Sequence, residues 1–200
     1  PEENRPCGSC RYDTRVPKRR TLTQSPGEIR ELIEKARCQD EGACQKILNL
    51  HKGRIFSYAY RMVKDYHDAE EITFDTFIRC FNALPSFDVS RPFAPWLFTI
   101  AHNLIMDHFR RRRVDVEYLD EFQPSDEDIP AEFEKKRKIE KIDRALSRLQ
   151  PVDRELIILF HKEERSYAEI SEITGMPVTT IKTRLHRARR KLSVLVREGV

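Results

Sequence analysis

The chain of 200 residues has room for one ordinary domain or two small ones. Charged residues make up 35% of it, but 39% is hydrophobic, which predicts a folded chain and excludes a wholly disordered one. No run approaches the ~18 apolar residues of a membrane span, and the first residues lack the apolar stretch of a secretion signal. We therefore expect no membrane insertion and a cytosolic location.

The net charge of +4 averages two very different parts of the chain. Residues 114–134 contain nine acidic residues and no Lys or Arg, so the rest of the chain carries +13. This acidic stretch also holds Pro124 and Pro130, and its apolar residues follow neither a helical nor a strand period. It is either a linker between two domains or a solvated acidic loop, and composition does not separate the two.

The chain before the acidic stretch predicts a polar arm followed by helices. Residues 1–24 have little to bury and predict a disordered arm. Ser25 and Glu28 have capping-box spacing, which predicts the start of a helix. A second helix is predicted from about Ala43 to Val63, and a third from a cap at Asp68 to Phe81.

The third predicted helix combines an apolar stripe with other aromatic and acidic residues. The stripe consists of Ala69, Ile72, Thr76 and Cys80. Phe74 and Phe77 lie beside acids on other sides of the helix. Either they pack in the core, which is the commoner case for one amphipathic helix, or a second face binds a partner.

The third helix is predicted to end at Pro85, and helix to resume at Trp96 after a loop. Aromatic rings and amides suit unstacked bases, and arginines suit phosphates. Residues of these types in the loop and helix are Phe87, Arg91, Phe93, Trp96, Asn103, Arg110, Arg111, Arg112 and Arg113. A structural explanation also stands for each, since Trp is often core and arginines at a helix C-terminus oppose the helix dipole.

After the acidic stretch the pattern predicts a helix-turn-helix. Two short helices come first, around residues 139–149 and 152–160. Ser166 and Glu169 then have capping-box spacing, and the helix that they open ends at Gly175. A short helix, a turn with glycine and a longer basic helix are typical of this motif.

The last predicted helix, from Val178, has one apolar stripe and an unmixed charge. The stripe consists of Val178, Ile181, Leu185, Ala188, Leu192 and Leu195. Between Ile173 and Arg197 there are seven basic residues and no acid. A helix that needed only solubility would mix signs, so the pattern favours duplex DNA binding over a merely solvated face.

Three strings carry a family resemblance: DAEEI at 68–72, WLFTIAHN at 96–103 followed by RRRR at 110–113, and the stretch 167–189 that includes IKTRLHRAR. With these strings, in this order, the chain resembles bacterial RNA polymerase sigma factors, and more narrowly the extracytoplasmic-function (ECF) group of the sigma-70 family. The resemblance implies an all-α fold of two small helical domains joined by an acidic flexible linker, the C-terminal one a helix-turn-helix. The implied parts are an arm (1–24), a region 2 domain (25–113), the linker (114–134) and a region 4 domain (135–200).

The resemblance also implies roles for individual residues. The residues that it implies for docking on the clamp of core polymerase are Glu71, Phe74, Asp75 and Phe81. The loop and helix with Phe87, Arg91, Phe93, Trp96, Asn103 and Arg110 to Arg113 would open the −10 element, with Asn103 at the pocket for an extruded base. The residues that it implies for the −35 element are Thr179, Lys182, Thr183, Arg184, His186, Arg187 and Arg190.

The implied partners are core RNA polymerase, through its clamp and flap regions, promoter DNA and an anti-sigma factor. The linker would run toward the RNA-exit path of the polymerase. Three positions depart from the family pattern, because Phe74 stands where Gln is usual, Thr179 replaces a common Gly, and Gln150 interrupts a Leu-Pro pair. The role of a transcription initiation factor leaves one alternative of another class, a stand-alone helix-turn-helix regulator with an N-terminal sensing domain.

The cysteines and the catalytic residue types give no stronger prediction. Five cysteines without a secretion signal do not predict a disulfide framework. Cys7 and Cys10 have the spacing of a zinc or redox pair. Cys38 and Cys44 would complete a site of four thiolates only if the arm folded back. The other interpretation is an inert arm. The sequence has no phosphate-binding glycine loop, HExxH pattern or nucleophile elbow, so we predict that the protein is not an enzyme and needs no cofactor. Among the possible functions, an enzyme that acts on nucleic acid is therefore the least favoured.

Overall fold

The computed structural model describes residues 26–115 and 141–197, and all regular elements in these two segments are helical. The N-terminal half consists of α1 (Pro26–Arg37), α2 (Glu41–Val63), α3 (Tyr66–Ala83), a 3₁₀ turn (Leu84–Ser86) and α4 (Phe93–Asp115). The C-terminal half consists of α5 (residues 141–147), α6 (Pro151–His161), α7 (Tyr167–Thr174) and α8 (Val178–Arg197). The predicted arm, with Cys7 and Cys10, and nearly all of the predicted linker lie outside the described residues.

Two predicted helix starts in the N-terminal half are wrong. α3 begins before Asp68, because the Asp65 side chain caps it by accepting a hydrogen bond from the backbone N–H of Asp68 at 2.9 Å. α4 begins at Phe93 rather than Trp96. Pro95 lies in its first turn, where a missing N–H costs no intrahelical hydrogen bond.

The predicted turn chemistry of the helix-turn-helix is confirmed. The Ser166 hydroxyl accepts from the backbone N–H of Glu169 at 3.2 Å, and a carboxylate oxygen of Glu169 accepts from the backbone N–H of Ser166 at 2.8 Å. Gly175 ends α7 in the left-handed region with φ of 70°, a conformation that glycine adopts without strain. Ser166 thus fixes the start of α7, and Gly175 ends it and begins the turn that leads to α8.

The two halves share one continuous hydrophobic core. α2, α3 and α4 pack on one another in the N-terminal half, while α7 and α8 pack on α6 in the C-terminal half. α6 also contacts α2, and α7 contacts α4. The described halves are therefore packed together rather than held apart.

Candidate polymerase and promoter interface

α3 exposes a second apolar face beside its buried stripe. The predicted stripe of Ala69, Ile72, Thr76 and Cys80 is buried, as expected. Phe74 is 68% exposed and lies in an open groove between α2 and α3, together with Glu71 and Phe81. Three of the four residues predicted to bind polymerase are thus on one surface. Asp75 is half-buried and does not line this groove.

Several residues of this groove lie outside the set predicted from the sequence. Tyr66 and Ile78 are large, exposed hydrophobic side chains that line it. Ile78 could have been found, because it follows Phe74 by four residues and precedes Phe81 by three, which places all three on one helical face. Tyr66 gives no such signal, because it lies before Asp68, the predicted cap. The groove combines exposed rings with the carboxylates of Glu70 and Glu71, which suits a partner with apolar and basic side chains.

The loop before α4 and the first turn of α4 form an aromatic cluster that consists of Phe87, Phe93 and Trp96. The ring centroids of Phe87 and Trp96 are 4.4 Å apart, and that of Phe93 lies 5.7 Å and 5.6 Å from them respectively. Phe87 is 4% and Phe93 5% exposed, whereas Trp96 is only half-buried. Two of the aromatic rings predicted to contact DNA are therefore core residues in this arrangement, and they support Trp96 from below.

The first helix holds this loop in place. The guanidinium group of Arg37 donates a hydrogen bond to the backbone carbonyl of Phe87 and another, at 3.2 Å, to that of Leu84.

His51 of α2 packs against Phe93 with ring centroids 5.3 Å apart. Burial, reinforced by the positive charges of Arg54 and Arg165, lowers the pKa of His51 to about 4. The imidazole is consequently neutral at physiological pH and behaves as part of the core.

Asn103 and three arginines of α4 lie on the solvent side of the helix. Asn103, Arg110, Arg111 and Arg112 are exposed, while the side chain of Arg113 lies outside what the structure describes. Arg112 Nη1 lies 3.9 Å from Asp68 Oδ2 of α3, and Arg110 pairs with Asp107 at 3.1 Å. Arg91 forms an ion pair with Glu172 of α7. The basic end of α4 is thus accessible, but Arg91 is engaged by the other half.

α8 presents a basic face opposite its buried stripe. Ile181, Leu185 and Ala188 are buried as predicted, and Leu192 and Leu195 are partly buried. The exposed residues of the predicted DNA-reading set are Thr179, Lys182, Thr183, His186, Arg187 and Arg190. An acid-free helical face of this kind fits the major groove and the phosphates beside it.

Two cations of α8 are held by neighbouring helices. Arg184, the remaining residue of the predicted set, is half-buried, and its Nη1 lies 3.1 Å from Asp153 Oδ1 of α6. Arg189, which the sequence analysis did not assign, lies over the Phe160 ring, 4.9 Å from its centroid, and donates to His161 Nε2 at 3.0 Å. Arg184 and Arg189 therefore orient α8 on α6.

Two family models match the two halves of the chain. The model for sigma-70 region 2 matches residues 47–114, and the model for sigma-70 region 4 matches residues 139–192. The ECF RNA polymerase sigma factor SigW of Bacillus subtilis (strain 168) is 32% identical over 188 residues, which cover 85% of this chain and 97% of that protein. The chain belongs to the ECF sigma factors of the sigma-70 family.

Solved structures of sigma factors have the same fold. CnrH, in a complex with the cytosolic domain of CnrY, has a TM-score of 0.66 and 26% identity, with 86% of this chain and 98% of that chain covered. The sigma factor RpoE of Bartonella quintana, in a complex with the anti-sigma factor NepR, has a TM-score of 0.65 and 28% identity, with 76% and 96% covered. Both regions occur in one chain, so the alternative of a stand-alone regulator is not favoured.

Within this ECF sigma factor, the α3 groove and the α4 surface belong to region 2, and the basic face of α8 belongs to region 4.

None of the helices in residues 26–115 and 141–197 is long and apolar enough to cross a membrane. The same segments contain no cluster of three or more His, Cys, Asp or Glu side chains suited to a metal ion. Cys80 is buried, which raises the pKa of its thiol to about 12 and makes it a core residue, as predicted.

Proposed function

We propose that this sigma factor binds core RNA polymerase through the α3 groove, opens the −10 element with α4, and reads the −35 element with α8. The observation that carries the proposal is that one chain presents three chemically distinct solvent-facing surfaces, each within the sigma region expected to supply it. The apolar and acidic groove suits a protein partner. The exposed amide and arginines of α4 and the basic face of α8 suit nucleic acid.

The groove supports the polymerase contact. Phe74 is a large apolar ring, and its exposure to water is energetically unfavourable. Other apolar side chains and the carboxylates of Glu70 and Glu71 surround it. Exposed aromatic residues of this kind supply much of the energy of protein interfaces when a partner buries them. Because Phe74 stands where the family usually has Gln, this contact would be more apolar than in relatives.

Asn103 and Trp96 support the proposed melting of the −10 element. An extruded base loses a few kcal/mol of stacking and pairing, which a stacking surface and an amide can offset. Asn103 is exposed, and the accessible part of Trp96 rests on the two buried phenylalanines. The basic end of α4 would hold the adjacent phosphates.

An anti-sigma factor is a further proposed partner. The sigma factor RpoE of Bartonella quintana forms a complex with the anti-sigma factor NepR, and CnrH forms one with the cytosolic domain of CnrY. An anti-sigma factor that covered the α3 groove would block the contact proposed for polymerase. Competition between the two would therefore follow from shared use of Phe74.

Transcription with purified core polymerase tests this function. Adding the chain should direct initiation from a promoter with −35 and −10 elements, and Phe74→Ala should weaken its affinity for core about tenfold or more, as loss of an interface anchor does. Tyr60→Ala is the matched control, because Tyr60 is an exposed ring of α2 that does not line the groove. Equal affinity of the Phe74 variant and the wild type, or no initiation with either, would contradict the proposal.

A further inference from the structure

An aromatic pair in the C-terminal half supports two cations of α8. Phe160 of α6 and Tyr167 of α7 are half-buried, and their ring centroids are 5.0 Å apart. The Lys182 ammonium lies over the Tyr167 ring, 5.5 Å from its centroid, and the Arg189 guanidinium lies 4.9 Å from the Phe160 centroid. Both distances are within the ~6 Å at which a cation is attracted to the face of an aromatic ring. Because Lys182 and Arg189 are seven residues apart, two turns of α8 rest on this pair from one side.

The Tyr167 ring is held in place by its own surroundings. Tyr167 is the first residue of α7, directly after the Ser166 cap, and the capping box of Ser166 and Glu169 fixes the backbone that carries the ring. Phe160 supports the ring from α6, at a centroid spacing that is favourable for aromatic pairs. Tyr167 consequently offers Lys182 a fixed surface rather than a mobile one.

This contact leaves the charge of Lys182 available. Lys182 is exposed near the start of α8 and has no carboxylate within ion-pair distance in the segments that the structure describes. Arg184, two residues later, instead pairs with Asp153 at 3.1 Å. A carboxylate competes with DNA for the cation that it holds, whereas a neutral ring orients the cation without neutralising it. Lys182 is therefore oriented and still able to bind an acceptor on DNA.

Orientation is worth more to a lysine than to most side chains. Its four-carbon stem has many rotamers, so fixing it on DNA costs conformational entropy. A contact that already holds the stem in the bound geometry reduces this cost. Within residues 26–115 and 141–197, no other cation of the predicted −35 set lies over an aromatic ring.

We propose that Tyr167 is a positioning residue for −35 recognition, which holds the Lys182 ammonium at the start of α8 with its charge free for DNA. This role rests on the proposed function, because that function assigns Lys182 to the −35 element. Tyr167 acts through Lys182 and makes no DNA contact of its own, while Phe160 supports its ring. Since the ring face attracts the cation, phenylalanine at position 167 should serve as well as tyrosine.

The first test measures the position of the lysine side chain in the full chain without DNA. A proton above the face of an aromatic ring is shifted upfield by the ring current, so the CH₂ group next to the Lys182 ammonium should resonate upfield of that of Lys191 in NMR spectra. Lys191 is the matched control, because it is exposed on the same helix and lies over no described ring. The upfield shift should persist in Tyr167→Phe and disappear in Tyr167→Leu. Equal resonances of the two lysines in the wild type would overturn the proposal, even if Tyr167→Leu fails to fold.

The second test measures how tightly the complex of the chain with core polymerase binds a promoter with −35 and −10 elements. Lys182→Ala should weaken binding about fivefold or more, because it removes a DNA contact. Tyr167→Leu should weaken it about threefold, because the lysine is no longer oriented. In the Lys182→Ala background, Tyr167→Leu should have no further effect, since the ring has no cation left to hold.

Arg187→Ala supplies the matched control for this double-mutant cycle. Arg187 is exposed on α8 and lies over no described ring, so its loss and the loss of the Tyr167 ring should multiply. If Tyr167 only stabilised the fold, Tyr167→Leu would weaken binding by the same factor in the Lys182→Ala background as in the wild type. That result would overturn the positioning role.

Tyr167→Phe separates positioning from a direct contact. A Phe variant as weak as Tyr167→Leu would assign the hydroxyl a DNA contact of its own and overturn the positioning role. Wild-type binding by Lys182→Ala would contradict the proposed function and, with it, the positioning role. An intact effect of Lys182→Ala that multiplies with Tyr167→Leu would contradict the positioning role alone.

Discussion

The N-terminal and C-terminal halves present their proposed DNA-binding residues in different ways. In the N-terminal half, Phe87 and Phe93 are packed in the core beneath Trp96, so the proposed promoter-melting surface and the core share side chains. In the C-terminal half, α8 buries one stripe and projects its basic residues from the opposite side, so the proposed DNA-reading residues and the packing residues are different side chains.

This difference predicts how each half responds to substitution. Changing Phe87 or Phe93 of the aromatic cluster should alter stability and promoter opening together. Changing an exposed residue of α8 should alter DNA binding alone. Rigid support for a melting surface is an advantage, because a stacking ring that moves freely pays conformational entropy when it binds a base.

The largest expected effect belongs to Phe93→Ala. Its ring is 5% exposed and contacts His51, Phe87 and Trp96, so truncation leaves a cavity and should lower the free energy of unfolding by about 3–5 kcal/mol. Urea unfolding of the full chain measures this. Phe74→Ala is the control for an exposed ring, with an expected change within about 0.5 kcal/mol. A loss below about 1 kcal/mol for Phe93→Ala would contradict its role in the core.

His51→Gln should change how stability depends on pH. The wild-type pKa is about 4 in the folded state and near 6.5 when unfolded, so the folded protein prefers the neutral ring. The contribution of the neutral His51 ring to the free energy of unfolding is complete above about pH 6.5. It is lost as the pH falls toward 4, and the total loss is about 3 kcal/mol. The variant should lack this part of the acid sensitivity in urea unfolding between pH 4 and 6.5.

His67→Gln is the control for His51, because His67 is exposed on α3. Its unfolding should follow the wild-type dependence over the same range. An unchanged pH dependence in His51→Gln would mean that the ring near Phe93 is not held neutral by burial.

Sequence periodicity predicted the C-terminal half better than the N-terminal half, for a physical reason. α8 has one buried stripe with spacings of three and four, and Ser166 and Gly175 cap the two ends of α7, so local pattern and fold agree. The period of α3 predicts its buried stripe correctly but does not say whether Phe74, on another face, packs in the core or stays exposed. No local pattern predicts that Glu155 of α6 is fully buried, because its burial depends on contacts with Tyr58 of α2 and His102 of α4.

The smallest expected effect is the most specific one, and it tests the separation of roles on α8. Arg187 is exposed, whereas Arg184, one turn earlier, is tied to Asp153 at 3.1 Å. If Arg187 contacts a phosphate, Arg187→Ala should lower the slope of log affinity against log salt by about one, with unfolding free energy within about 0.5 kcal/mol of the wild type. Arg184→Ala should in addition lower the free energy of unfolding, by up to about 1 kcal/mol, because it breaks the contact with α6.

Promoter binding by the polymerase complex at several salt concentrations measures the slope. An unchanged slope in Arg187→Ala would leave this arginine as a solvated residue and confine DNA reading to the start of the helix, where Lys182, Thr183 and His186 are exposed.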